Sequence, residues 1–197
     1  METYNKLYNG ISKVAWGYFF LYFNINLGTV SILPSFVGYI LFLKAIDLLQ
    51  SDERELSLLR TLGIILTVWN VIEWIATCIN YSFGSSWQFV TIITSLVSMY
   101  FHFQLITNLA SIATKYQQEG YEQDKKLLRY RTIQTIMQTT FTISTVFAPH
   151  FDGFITYIYF CLAIVYAVVC ICIMKALFDL RKCLRRDETN TIEDVNE

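Results

Sequence analysis

Apolar residues are grouped into six runs along the 197-residue chain, and short polar stretches separate the runs. A helix that crosses the hydrocarbon core of a bilayer needs about 20 mostly apolar residues. We therefore expect an all-α, polytopic bundle of six transmembrane helices, arranged as three hairpins in a single membrane domain over 1–183. A flexible polar tail is expected over 184–197. The predicted helices cover approximately 11–25, 34–50, 60–82, 87–115, 130–149 and 153–182.

The first two runs flank a short break, NINLGTVSILP, which we interpret as a turn between two helices. A single helix over 11–49 would be about 58 Å long, nearly twice the thickness of the hydrocarbon core. Pro34 would interrupt the hydrogen bonds of such a helix, but it suits the first turn of a second helix. The pattern therefore predicts a turn over 25–33.

The basic residues support the count of six helices. In a six-helix arrangement all 15 Lys and Arg residues lie in connections, or at helix ends, on one side of the membrane. Basic residues accumulate on the cytoplasmic side of membrane proteins. The pattern predicts a multi-pass plasma-membrane protein whose N- and C-termini are both cytoplasmic. A count of five or seven helices would move basic clusters to the outside.

Composition narrows the classes of partner and chemistry. The chain is 54% hydrophobic and 16% charged, with a net charge of −1, which indicates a lipid bilayer as its surroundings and no attraction to nucleic acid. Its five cysteines and two histidines show no metal-ligand spacing, so neither a metal nor a cofactor is expected. The absence of a catalytic motif favours a non-enzymatic protein and leaves catalysis as an open alternative. A membrane-protein partner or a homo-oligomer is compatible with this composition.

One carboxylate, Glu73, lies inside an otherwise apolar predicted helix. Asn70 is three residues earlier on the same helical face, and Trp69 and Trp74 flank that face. Ionisable groups inside a membrane are costly and commonly mark a function. Two interpretations remain open. Glu73 either takes up a proton or binds a cation beside an aromatic wall, or it is a buried glutamate that fixes helix packing.

The next predicted helix carries His102. If this helix runs antiparallel to the helix of Glu73, the length of the turn between them predicts which residues lie level with Glu73. An outer turn near residue 84 places Glu73 level with Ser95, and Asn70 level with Ser98. His102 is then about seven residues deeper, too far for direct contact in this register. A contact between Glu73 and His102 requires a shifted turn; otherwise His102 is a hydrogen-bonded packing residue.

The fifth predicted helix carries a polar stripe, and the first ends in two asparagines. Such a stripe faces protein or water and not lipid, so it either lines a solute cavity or joins helices through hydrogen bonds. Asn24 and Asn26 either cap the first helix or form the roof of a site around Glu73. The stripe consists of Gln134, Gln138, Phe141, Thr142 and Thr145.

The break between the first two helices also carries a recognisable pattern. Asn24-Ile25-Asn26 and Leu33-Pro34-Ser35-Phe36-Val37-Gly38-Tyr39 resemble the N-terminal region of a group of uncharacterised small membrane proteins from Gram-positive bacteria. That resemblance implies a bacterial plasma membrane and no particular activity. At the level of the fold, the chain is also similar to the substrate-binding components of energy-coupling-factor vitamin transporters, which have six helices, cytoplasmic termini and a proline where helix two begins.

These features predict a membrane protein that binds or transports a small solute in an intramembrane cavity among helices one, three, four and five. Glu73 would be its charge-bearing group. Hydrogen bonds would come from Asn70, His102, Gln134 and Gln138. The alternative is a non-catalytic membrane scaffold or sensor that acts through its basic cytoplasmic face.

Overall fold

The structure, a computed structural model, contains six helices and one short β-ribbon within the residues that it describes. The ribbon consists of β1 (Asn26–Leu27) and β2 (Val30–Ser31), which pair antiparallel. The prediction of a helical chain with six helices is confirmed within these residues. The described residues are 2–23, 26–27, 30–31, 34–81, 87–118, 120–147 and 153–193. The helices are α1 (Glu2–Tyr22), α2 (Ser35–Leu49), α3 (Leu56–Cys78), α4 (Gln88–Tyr116), α5 (Gln123–Phe147) and α6 (Gly153–Glu193).

The helices pack in chain order, and the last one returns to the first. Each helix contacts the next along the chain, and α6 also packs against α1, so the described helices form a closed ring. Two points of contact show that α1 and α2 run antiparallel, because Gly10 lies against Leu49 and Gly17 lies against Phe42. The ring brings side chains from distant parts of the sequence to a shared interior.

The predicted break between the first two helices is confirmed. Helix α1 ends at Tyr22 and α2 begins at Ser35, directly after Pro34. Pro34 is extended, with φ −71° and ψ 135°, and it precedes the first helical residue by one position. A residue without a backbone N–H is well placed there, because that N–H would have no partner within the helix.

Several helices extend further than the apolar runs predict. Helix α1 begins at Glu2 instead of 11, because Leu7 and Ile11 continue its buried face at helical spacing and are themselves fully buried. Helix α5 begins at Gln123 instead of 130. Helix α6 continues to Glu193, whereas the sequence predicts a polar tail from 184; this stretch has no glycine or proline that would end a helix.

Three of the described helices are long and apolar enough to cross a membrane, namely α3, α4 and the segment Phe160–Leu184 of α6. Their outward faces are apolar and exposed, an arrangement that is unfavourable in water and suited to lipid. The protein is therefore associated with a membrane. The exposed apolar residues on α3 and α6 include Ile65, Val68, Ile72, Ile75, Ile164, Val168 and Ile171.

The connection between α2 and α3 is bound to the end of α4. Ser111 donates a hydrogen bond to Glu53, with 2.8 Å between Oγ and Oε2, and the Lys115 ammonium lies 3.0 Å from the same oxygen. The Tyr116 hydroxyl donates to Asp52 at 2.8 Å. The hydrogen bonds from Ser111 and Lys115 favour the ionised carboxylate, so they lower the pKa of Glu53 below its ordinary value.

The fully buried apolar core is concentrated near this connection, at what we call the packed end of the ring. On α3, the fully buried Leu56 lies at the start of the helix, and Glu73 lies about 25 Å further along it. The opposite end of the ring is less tightly filled, and Asn70 and Glu73 of α3 lie there. Core residues of the packed end include Leu7, Ile11, Leu49, Leu56, Leu109, Ala113, Leu127 and Leu180.

Candidate functional site

A cavity of about 320 Å³ lies among five of the six helices. Polar groups converge on it from α3, α4 and α5, and α2 and α6 each contribute one tyrosine. Its volume is in the range of small-molecule binding sites. The residues that line it are Tyr39, Leu66, Trp69, Asn70, Glu73, Thr91, Thr94, Ser95, Ser98, Gln138, Phe141, Thr142 and Tyr166.

Glu73 is the only carboxylate among the described residues that line this cavity. It shares a helical face with Trp69 and Asn70, because residues three and four positions apart are neighbours on a helix. The side chain of Trp69 is a hydrogen-bond partner of the Glu73 carboxylate. All three side chains are partly exposed, so Glu73 faces an accessible cavity and not a packed seam between helices.

Hydroxyl groups of α4 form the wall opposite α3. Thr91, Thr94 and Ser95 each donate their hydroxyl hydrogen to the backbone carbonyl four residues earlier, over 3.3, 2.7 and 2.9 Å. Their lone pairs therefore remain available as acceptors. Ser98 forms a hydrogen bond of 3.0 Å with the hydroxyl of Tyr39 at the deep side of the cavity.

Each of the two amide side chains of the cavity donates one of its two N–H groups within the protein. Asn70 Nδ2 donates to the carbonyl of Leu66 at 2.8 Å, and Gln138 Nε2 donates to the Tyr166 hydroxyl at 3.1 Å. Each amide keeps its carbonyl oxygen as an acceptor. The lining of the cavity is therefore rich in hydrogen-bond acceptors.

The polar stripe predicted on helix five faces the interior of the ring. Gln138, Phe141 and Thr142 line the cavity, whereas Gln134 lies behind it, is only 2% exposed and donates to the hydroxyl of Tyr22. The Tyr166 hydroxyl also reaches Tyr22, at 3.4 Å, so hydrogen bonds continue from the cavity to α1. The side chain of Thr145 lies outside the described residues.

His102 is buried beneath the cavity and does not line it. The rings of Tyr18, Tyr39, Phe42 and Phe101 surround it, with centroids between 5.4 and 6.0 Å from the imidazole. Its Nδ1 is 3.3 Å from the Tyr18 hydroxyl, and its Nε2 is 3.5 Å from the Tyr39 hydroxyl. His102 is therefore connected to the cavity through Tyr39 and sits deeper than the cavity carboxylate.

Of the remaining predicted site residues, Trp74 does not belong to the described lining of the cavity. Trp74 packs edge-on against Phe36, with 5.6 Å between the ring centroids. Asn24 lies outside the described residues. Asn26 belongs to β1, and its side chain also lies outside the described residues.

The antiparallel register inferred from the sequence agrees with the geometry of the cavity. Ser95 and Ser98 line the same space as Glu73 and Asn70, and His102 lies deeper along α4. Thr91 and Thr94 were not predicted, although together with Ser95 and Ser98 they form a stripe at helical spacing in the sequence. Tyr39 and Tyr166 carried no such signal, because tyrosines are frequent throughout the apolar runs of this chain.

A second cavity, of about 350 Å³, lies between α3 and α4 towards the packed end. Leucines form much of its lining, and its carboxylate, Glu55, accepts a hydrogen bond of 2.7 Å from Gln104. This pairing gives the carboxylate of that cavity a partner within the protein. Across the described ranges, no three His, Cys, Asp or Glu side chains come together as a metal site.

No protein-family model, no curated protein and no solved structure matches this chain.

Proposed function

We propose that this protein is a multi-pass plasma-membrane protein that binds or transports a small solute in the cavity around Glu73. One observation carries the proposal. The only carboxylate among the described lining residues belongs to an apolar helix, and it faces a cavity to which polar side chains from neighbouring helices contribute. Such a carboxylate is costly in a membrane unless a ligand, a proton or water compensates it.

The proposal includes six membrane spans, arranged as three hairpins, with both termini in the cytoplasm. Helices α1, α2 and α5 form one ring with the three helices that are long and apolar enough to cross a membrane, which supports their placement in the same layer. The distribution of Lys and Arg favours this orientation. A solute would then bind towards the end of the ring that lies away from the cytoplasmic surface.

A pair of variants tests whether a solute binds in this cavity. Ser95 lines the cavity, whereas its neighbour Leu96 is 47% exposed on the outer surface of α4. Ser95→Phe would therefore fill the cavity, and Leu96→Phe would add the same ring outside it. The variants are purified into lipid nanodiscs and unfolded thermally with panels of cationic, neutral and anionic small solutes.

We expect at least one solute class to raise the Tm of the native chain and of Leu96→Phe but not of Ser95→Phe. A ligand that binds only the folded state raises stability by about 2.7 kcal/mol when present at 100 times its Kd. A panel that leaves the native chain unchanged, or shifts that survive in Ser95→Phe, would contradict the proposal. An unresponsive native chain would favour the scaffold alternative, for which the exposed Lys126 and Arg129 on α5 are the natural contact residues. Shifts that survive in Ser95→Phe would show that the solute binds outside this cavity.

A further inference from the structure

We propose that the ligand of this cavity is a small organic ammonium that carries N–H groups, that is, a protonated primary or secondary amine. The inference rests on the solute site proposed above and adds the chemical class of the solute. Three features of the lining support it, namely its charge, its hydrogen-bonding character and its aromatic wall.

The described residues of the lining carry no positive charge. Glu73 is the one carboxylate among the described lining residues, and none of them is Lys, Arg or His. An anionic solute would meet no opposite charge there and would be repelled by an ionised Glu73. A cation would neutralise that carboxylate, and opposite charges attract more strongly in a medium of low dielectric constant.

The hydrogen-bonding groups of the lining favour a ligand that donates hydrogen bonds. The hydroxyl hydrogens of Thr91, Thr94 and Ser95 are bound to backbone carbonyls, and an amide N–H of Asn70 and of Gln138 is bound within the protein. These groups present oxygen lone pairs to the cavity, and each amide also has a second N–H. An ammonium group has only donors, so it complements such a surface better than a carboxylate, a phosphate or a carbonyl would.

The aromatic side chains fit an organic cation. Tyr39, Trp69, Phe141 and Tyr166 line the cavity, and Phe141 meets Tyr166 edge-on with 5.6 Å between centroids. Cations are attracted to aromatic ring faces, and aromatic cages recognise ammonium ligands. The rings also give the apolar part of an organic ligand a surface to contact.

A bare metal ion fits this lining poorly. Calcium takes six to eight oxygen ligands, commonly with several carboxylates. Here one carboxylate lies in a space of about 320 Å³, much of it bounded by aromatic rings. The volume and the rings are suited to a molecule with an organic body.

Four probes that share a phenyl ring on a short chain test the chemical class. They are 2-phenylethylamine, the neutral 2-phenylethanol, the anionic phenylacetate and the N-trimethylated 2-phenylethylammonium, which is cationic but has no N–H. Binding is measured by isothermal titration to the full chain in nanodiscs, with empty nanodiscs subtracted. We expect the amine to bind at least about tenfold more tightly than the other three, as expected for hydrogen bonds to a charged group.

A carboxylate variant tests the role of Glu73. Glu73→Gln should weaken binding of the amine by about tenfold or more and bring it level with the alcohol. Glu122→Gln is the matched control, because Glu122 is an exposed carboxylate paired with Lys125 on α5. This control should bind the amine as the native chain does. The four-probe comparison on the native chain does not depend on whether Glu73→Gln folds.

The outcomes separate this inference from the proposed function. Tight binding of 2-phenylethanol or phenylacetate that Ser95→Phe abolishes would keep the solute site and overturn the ammonium class. Equal binding of the trimethylated probe would overturn the requirement for N–H donors. If none of the four probes binds, the ammonium inference fails, and the broader solute panel decides the proposed function separately.

Discussion

At the scale of single residues, Tyr39 links the cavity to the interior of the ring. Its hydroxyl lies 3.0 Å from Ser98 and 3.5 Å from His102, and its ring is one of the four around that histidine. The sequence predicted Glu73 and Asn70 as cavity residues because polar groups are conspicuous in apolar helices. It could not predict Tyr39, because a tyrosine in an apolar run is equally compatible with core packing.

Glu53 gives a pH-dependent prediction at the same scale. Its carboxylate, 18% exposed, accepts hydrogen bonds from Ser111 and Lys115, and these lower its pKa below the ordinary value of 4.5. A carboxylate with a lowered pKa contributes stability above its unfolded-state pKa and loses it as the pH falls through the folded-state pKa. Glu53→Gln should therefore cost about 1 kcal/mol near neutral pH.

The difference in Tm between native chain and Glu53→Gln should shrink as the pH falls below 4.5, the ordinary pKa of the group. Thermal unfolding in nanodiscs from about pH 7 to about pH 3 measures this difference. Glu122→Gln, which removes an exposed carboxylate, should show little effect on stability at neutral pH. A Glu53→Gln penalty that stays constant down to the lowest pH would contradict the assignment.

At the scale of helices, the contact between α1 and α2 depends on two glycines. A Cβ at Gly38 would lie 2.7 Å from the carbonyl oxygen of Gly17, so the two backbones pass too close for any side chain. The break before α2 was predictable, because Pro34 and the length of the apolar region exclude one helix. The starts of α1 and α5 were not predictable from the apolar runs. The first turns of these two helices are stabilised by packing at one end of the ring and not by contact with lipid.

Gly38→Ala should therefore destabilise the fold by about 1–3 kcal/mol, because the new methyl group meets a backbone atom and the helices must separate. Gly63→Ala is the matched control. There a Cβ would lie 2.8 Å from the flexible end of Leu43, which can move aside. Alanine also raises helix propensity by up to about 1 kcal/mol, so this control should lie near the native stability.

Titration of the purified protein with a denaturing detergent gives the free energies of unfolding for this comparison. Equal losses of unfolding free energy in both glycine variants would show that the close contact between α1 and α2 is not the cause of the loss. A loss confined to Gly38→Ala is the expected result.

At the scale of the whole molecule, the packed end and the cavity lie towards opposite ends of the ring along the helix axes. The sequence predicted six helices and their shared interior, because apolar runs and basic residues report on insertion into a membrane. It did not predict that the fully buried apolar residues would be concentrated near one end. That asymmetry depends on long-range contacts such as the one between Arg181 of α6 and Ser12 of α1, at 3.2 Å.

The proposed orientation predicts the behaviour of reporter fusions. Green fluorescent protein fused after residue 51, after residue 118 or at the C-terminus should fluoresce, because the six-span arrangement places these points in the cytoplasm. Alkaline phosphatase fused near residue 84 should be active, because that turn would lie outside. Active alkaline phosphatase at the C-terminus would overturn the six-span topology.

The hydroxyl wall of α4 has a mechanical consequence. A serine or threonine that bonds to the carbonyl four residues earlier weakens that part of a helix slightly and often bends it. Thr91, Thr94 and Ser95 all do so within little more than one turn. The α4 wall is therefore a compliant boundary of the cavity, and bending of α4 would accommodate a solute that is slightly too large.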